Sequence, residues 1–265
     1  MLTNFNFKES YSVDDLVEIM SLLRGEGGCP WDREQTHSSI RKNFIEETYE
    51  VAEAIDEDDP AKLREELGDV LLQVVFHAQI EKERGNFCFD DVCDEICKKL
   101  IIRHPHVFGN KVVKTAEEEH NMWEEIKKET KGQKKGSETL DAVPKQLPAL
   151  MRCAKLQHRA EKAVSTAHSL EWSLDKLDEE IKELKEAIKT NDMAHSREEM
   201  GDVLFSAVST TRALDLEPEE CLSASSEKFI KRFKRAEELA EENGRELSDY
   251  RGEELSSIWQ EAKQI

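Results

Sequence analysis

One acidic pattern occurs twice in this chain with the same internal spacing. The first copy reads Glu46-Glu47-x-x-Glu50, then fifteen residues, then Glu66-x-x-Asp69. The second reads Glu179-Glu180-x-x-Glu183, fifteen residues, then Glu199-x-x-Asp202. Each ends on nearly the same words, Glu65-Glu66-Leu67-Gly68-Asp69-Val70-Leu71 and Glu198-Glu199-Met200-Gly201-Asp202-Val203-Leu204. Solvated Glu, Lys and Gln interchange freely on an exposed helix face, so carboxylates held at fixed offsets in both copies point to a task for each. Residues three apart share a helix face, which groups Glu47 with Glu50 and Glu66 with Asp69. A short turn between two helices makes them antiparallel neighbours, so four carboxylates converge across the seam. Their repulsion is relieved by protonation or by a divalent cation, and hard oxygen ligands favour magnesium, manganese or calcium. Glu180, Glu183, Glu199 and Asp202 repeat the arrangement. The competing readings are a solvated acidic face and a duplication that kept its pattern without its function.

The repeat divides the 265 residues into two units, expected at 1–127 and 148–265, joined by a linker over 128–147. Hydrophobic residues are 38% and charged residues 36%, with only 11 Gly and 6 Pro. That balance suits long amphipathic helices, and the expected class is all-α. Ser12-Val13-Asp14-Asp15 opens a first helix that Gly25 to Pro30 stops, and Trp31–Ser39 reads as an ordered loop. A helix over Ile40–Asp56 is expected to pack through Phe44, Tyr49, Val51, Ala52 and Ile55. Asp59 as N-cap and Pro60 at the first position start the next helix, which runs to about Glu83. Another covers Phe89 to Arg103. In the second half helices are expected from about Leu150, over Glu179–Ile188 after a loop at Thr166–Trp172, over Arg197–Leu214, and from Pro218 through Phe233. Trp31 and Trp172 are expected to anchor loops. Gly68 and Gly201 sit inside helices at a cost in stability, implying close helix approach or ligand access. No stretch alternates like a strand.

With 38 basic and 58 acidic residues the net charge is −20, a surface that repels a phosphate backbone and disfavours nucleic acid as a partner. No apolar run is long enough to span a bilayer, and Met1 to Asn6 lacks a leader-like pattern. Six cysteines without a C-x-x-C pair fit a reducing cytoplasm. Cys93, Cys97, His104 and His106 match no standard zinc spacing. Glu117-x-x-His120 is not duplicated in the other half, where a di-iron bundle needs two such pairs from facing helices.

Lys228 and Arg232 stand four apart, as do Lys99 and Arg103 once four extra residues after Asp69 are allowed for. They read as phosphate contacts or as surface salt bridges. Each half ends with a Trp followed four residues later by Lys: Trp123 and Lys127, then Trp259 and Lys263.

The doubled E-E-x-x-E…E-x-x-D resembles the signature of MazG-type nucleoside triphosphate pyrophosphohydrolases. Gly28-Cys29-Pro30-Trp31-Asp32-x-x-Gln35-Thr36-His37, Arg103-His104-Pro105-His106-Val107-Phe108 and Leu147-Pro148-Ala149-Leu150-Met151 are similar to that family as well. The resemblance implies tandem four-helix-bundle-like domains and a homodimer whose helical units pack across the subunit boundary. It also implies Mg²⁺ (Mn²⁺ as the alternative) and cleavage of nucleoside triphosphates to monophosphate and pyrophosphate. The expected role is broad-specificity house-cleaning of the nucleotide pool. Carried onto this chain, it makes Glu180, Glu183, Glu199 and Asp202 catalytic metal ligands, with Glu47, Glu50, Glu66 and Asp69 as the first unit's set. Glu179 orients or deprotonates the water. Lys228, Arg232 and Lys263 hold phosphates and Trp259 meets the base, with Lys99, Arg103, Trp123 and Lys127 as counterparts; a Trp that seals the bundle end is the other reading. The second unit is expected to be the more active. The alternatives are a nucleotide-binding scaffold or regulator that does not cleave, and a narrow dUTPase-like hydrolase.

Overall fold

The computed structural model describes residues 5–115, 118–119, 122–123, 126 and 135–264. Among them every regular element is helical. The chain divides into two compact units, Met1–Lys127 and Lys128–Ile265.

The first unit contains α1 (Val13–Arg24), α2 (Pro30–Glu34), α3 (His37–Asp56), α4 (Pro60–Arg84), α5 (Phe89–Arg103) and the short α6 (Pro105–Phe108). Local chemistry fixes the ends. Ser12 and Asp15 form a capping box at α1, and Asp59 accepts from the backbone N–H groups of Ala61 and Lys62 with Pro60 in the first turn of α4. The turn before Asp59 places Asp58 at φ 52°, a left-handed conformation that Asp tolerates better than most residues. This tight turn folds α4 back along α3, the main helix–helix contact of the unit. α4 also meets α1 and α5, so it occupies the centre, and its later turns bury Val75, Phe76 and Ile80 against Met20 and Ile40.

The second unit contains α7 (Gly136–Asp141), α8 (Ala149–Val164), α9 (Leu170–Lys189), α10 (Met193–Ala213), α11 (Pro218–Glu242) and α12 (Gly252–Glu261), with 3₁₀ turns at Leu247–Asp249 and Ala262–Gln264. Its acidic pair repeats the first design. Asn191 at φ 56° makes the turn, and Asp192 caps the N–H groups of Ala194 and His195. α9 and α10 pack along each other. Gln157 of α8 donates to the Phe205 carbonyl at 2.8 Å, and Arg212 of α10 reaches back to Glu161, tying α8 to the pair. A separate core of Ala236, Leu239, Ala240, Tyr250, Ile258 and Ala262 closes α11 against α12.

Several expectations need correction. The expected loop Trp31–Ser39 contains α2 and the first turn of α3, because Thr36 and Ser39 form a capping box there. Gly28 makes the approach possible: a Cβ on it would stand 2.3 Å from the carbonyl oxygens of Leu22 and Leu23. Arg24, its side chain 6% exposed, holds the segment by pairing with Glu83 at 2.8 Å and donating to the Gln35 carbonyl at 3.2 Å. The helix through Trp172 likewise starts earlier than expected, at Leu170, under a cap from Ser169. Within the stretch expected to link, α7 packs on α8 so closely that a Cβ on Gly136 would lie 2.8 Å from Ala163. Tyr49, Ala52 and Ile55 are exposed rather than packed, because α3 meets α4 through a narrow face that buries Ile40 and Ala54. Finally, among the described residues Gly68 and Gly201 have no atom outside their own helix backbone within 4 Å of where a Cβ would sit. Close approach within one chain is therefore not what these glycines serve. Glu117, His120 and Lys127 lie outside the described residues.

Candidate active site

Each helix pair presents three carboxylates to one point. Glu180 of α9 with Glu199 and Asp202 of α10 bring one carboxylate oxygen apiece within 4.8 Å of one another. Glu47 of α3 with Glu66 and Asp69 of α4 do the same in the first unit. Glu183 and Glu50, one helical step on, are exposed and stand outside these trios. They remain close enough to act on them: Glu183 charge helps raise the Glu199 pKa, and Glu50 charge that of Glu66. Burial is the leading cause of the raised pKa at Glu199, Glu66 and Glu47, followed at Glu47 by the Asp69 charge and a hydrogen bond with Glu50. Desolvation and like charge both disfavour the ionised form, so the site is electrostatically unbalanced as a bare protein surface.

The second unit carries the stronger signature of a cation. Glu180 and Glu199 are buried, each 7% exposed. The Oε2 of Glu199 is buried without a hydrogen-bond partner among the described residues, and a buried acceptor left unpaired is costly. Its other oxygen lies 3.4 Å from His195 Nδ1. An all-oxygen donor set with one buried, unsatisfied oxygen fits a hard divalent ion. Lys176 donates to Glu180 and Glu179 at 3.0 Å each, which leaves Glu179 half exposed at the edge of the trio.

Beside the trio opens a cavity of about 490 Å³, lined in part by Glu180, Asp202 and Lys176. Its walls include Leu156 and Ala160 of α8, Leu140 of α7, and Phe205, Ser206 and Ser209 of α10. His168 and Trp172 stack on its rim with centroids 3.6 Å apart. Trp172 is thus a cavity wall, 45% exposed, rather than a loop anchor. Sequence reasoning missed this pocket; the Ser residues on the inward face of α9 and α10 were its only trace.

The remaining candidates sit on neighbouring elements. Lys228 (exposed) and Arg232 (half-buried) ride on α11, which packs against α8 and α10. Trp259 meets Phe229 at 5.3 Å between centroids and packs on the α11–α12 core, and the exposed Lys263 follows in the last 3₁₀ turn. In the first unit Lys99 and Arg103 lie on α5, with the Arg103 guanidinium 5.0 Å over the Trp123 ring. The extra residues between Asp69 and Lys99 are one added helical turn, since α4 has 25 residues and α10 has 21.

Paired helices with clustered carboxylates that could hold a metal ion, one pair beside a cavity lined by His168 and Trp172, define a class of all-α protein. The MazG nucleotide pyrophosphohydrolase domain matches residues 35–108 and again 168–236, each match spanning one acidic pair. A nucleoside triphosphate pyrophosphohydrolase/pyrophosphatase MazG of Thermotoga maritima is 45% identical over 250 residues, covering 94% of this chain and 95% of that protein. A nucleoside triphosphate pyrophosphohydrolase of Escherichia coli K12 is 42% identical over 256 residues, 95% of this chain and 97% of that one. The chain belongs to the MazG family. No helix among the described residues is long and apolar enough to cross a membrane.

Proposed function

We propose that the chain hydrolyses nucleoside triphosphates between the α and β phosphates, releasing monophosphate and pyrophosphate, with the second unit as the main catalytic centre. The observation that carries this reading is the Glu180–Glu199–Asp202 trio, with its partnerless buried oxygen, opening onto a cavity of about 490 Å³. Relatives named as nucleoside triphosphate pyrophosphohydrolases, alike over nearly the whole chain, support it.

Glu180, Glu199 and Asp202 would hold Mg²⁺ or Mn²⁺, with Glu183 as a fourth carboxylate; Glu47, Glu66, Asp69 and Glu50 would do so in the first unit. When bound, such an ion offsets the charge that builds on the polyphosphate oxygens. The protein's own groups do the rest. Glu179, steadied by Lys176, positions the attacking water or takes its proton. Lys228, Arg232 and Lys263 hold the phosphates, and the pairing of Arg with phosphate oxygens fixes their orientation. The apolar walls exclude water from the nucleoside end, and the exposed face of Trp172 stacks the base. Trp259, fixed on Phe229, anchors the segment that carries Lys263. The polar groups Gln157 and Glu161 in the cavity wall are already engaged by the Phe205 carbonyl and Arg212, and the rest of the wall is largely apolar, which supports a broad base range.

A homodimer is part of the same proposal. Leu204, Phe205, Phe229 and Ile230 are each more than two-fifths exposed, and Ile101 and Ile102 show the same in the first unit. Apolar surface of this extent calls for cover. The charge of −20 supports nucleotides rather than nucleic acid as ligands, and six free cysteines support a cytoplasmic setting. The test is Glu199→Gln, assayed by pyrophosphate release and by Mn²⁺ uptake. Both are expected to fall, turnover by about a hundredfold or more; wild-type turnover in this variant would defeat the proposal.

A further inference from the structure

The two units share an acidic frame and differ beside it. Their helix pairs run in one register from the caps onward: Thr36 answers to Ser169 and Asp59 to Asp192, and α3 and α9 each have 20 residues. In that register Ile40 corresponds to Ser173, Gln73 to Ser206 and Phe76 to Ser209. In the second unit Ser206 and Ser209 line the cavity, and Ser173, 1% exposed, stands behind Ser209 with their hydroxyl oxygens 3.3 Å apart. In the first unit Ile40 (2% exposed) and Phe76 (4%) are packed into one apolar cluster with Met20, and the Arg24 guanidinium lies 5.2 Å over the Phe76 ring. A contacting hydroxyl pair in one copy is an apolar core pair in the other. Every site ligand named for the second unit's trio is nevertheless retained in the first.

We infer that this pair decides which unit takes a nucleoside. Ser173 and Ser209 leave the space beside the second acidic trio open, while Ile40 and Phe76 fill the equivalent space in the first. The first unit then takes a divalent cation without a base, and the second takes the cation together with a nucleoside triphosphate. Filling matters because protein interiors are close-packed, and a ring in that space leaves no room for another. This inference rests on the second unit being the nucleotide site.

The test uses the full chain with Mn²⁺ and an α,β-methylene nucleoside triphosphate, which keeps its triphosphate intact. Equilibrium dialysis is expected to give one nucleotide per chain, and two per chain would overturn the inference. Ser209→Phe from α10 and, separately, Ala160→Phe from α8 each place a ring at the cavity wall. Each is expected to weaken nucleotide binding by roughly 10- to 100-fold, the loss of stacking on Trp172. Mn²⁺ uptake without nucleotide and the helical circular dichroism are expected to stay at wild-type values. If one variant fails to fold, the other decides; undiminished nucleotide affinity in a folded variant overturns the inference. Absence of pyrophosphate release from any triphosphate by the wild type would instead defeat the proposed function, so the two failures are distinguishable.

Discussion

Gly201 offers a test in which two effects of known size oppose each other. It lies inside the 21-residue α10, beside the exposed Met200, and its face continues through Leu204 and Phe205, each about half exposed. Among the described residues nothing outside the helix's own backbone lies within 4 Å of a Cβ added there. Gly201→Ala should therefore raise the stability of the subunit by about 1 kcal/mol, the helix propensity difference between the two residues. For a unit of this size that corresponds to a rise in Tm of a few degrees. The proposed homodimer places a second copy on this apolar face. A methyl group inserted into a packed contact costs about 1–3 kcal/mol, so subunit affinity should fall by roughly 5- to 150-fold. Denaturant unfolding of dilute protein measures the first effect, and sedimentation equilibrium across a concentration series measures the second. A variant that is simply more stable, and that associates and turns over as the wild type does, would refute the reasoning. The glycine would then serve no contact at all.

Asp192→Ala removes the cap of α10 and should cost about 1 kcal/mol; because α10 carries Glu199 and Asp202, a Mn²⁺ titration should show weaker uptake at the same time. Arg212→Ala strands Glu161, whose carboxylate is 18% exposed, and should destabilise the second unit by about 2–4 kcal/mol in a denaturant titration; a loss under about 0.5 kcal/mol would show the pair to be a surface contact. In the first unit Glu81 is held at a pKa of about 2, chiefly by the Asn86 amide and then by His37. A carboxylate with a depressed folded pKa gives stability that is present above its unfolded value of about 4.5 and lost as pH falls toward 2. The stability advantage of wild type over Glu81→Gln should therefore shrink across that window; a constant difference would sink the assignment.

Helix starts with a side-chain oxygen and a proline, such as Asp59-Pro60, could be read from the chain because the signal and the structure are both local. Thr36 was overlooked, since its partner Ser39 is a weaker signal than the Glu or Gln of the usual capping box. The spacing led to four converging carboxylates in each unit, of which three come together, because a step of three residues turns successive side chains by about 60° around the helix. Spacing alone could not say that Glu50 and Glu183 would face outward while Glu47 and Glu180 faced the seam. The cavity was the least legible feature. It is made by small residues from α8 and α10, far apart in sequence, and by rings that a reader of sequence assigns to a loop or a core. Setting Ile40 against Ser173 and Phe76 against Ser209 would have exposed it, because a buried serine pair in place of an apolar one has to be explained.

The additional turn of α4 sets a rule for how such a repeat can drift. Four inserted residues carry the end of the helix about 6 Å further along its axis, yet bring the following side chains back to within about 40° of their original bearing. One or two residues would have swung the start of α5 around the helix axis and pulled Phe89 from the core it packs against. Growth in this helix is thus confined to near-complete revolutions, so the reach toward Lys99 and Arg103 can change in coarse increments while the seam that holds the carboxylates stays put.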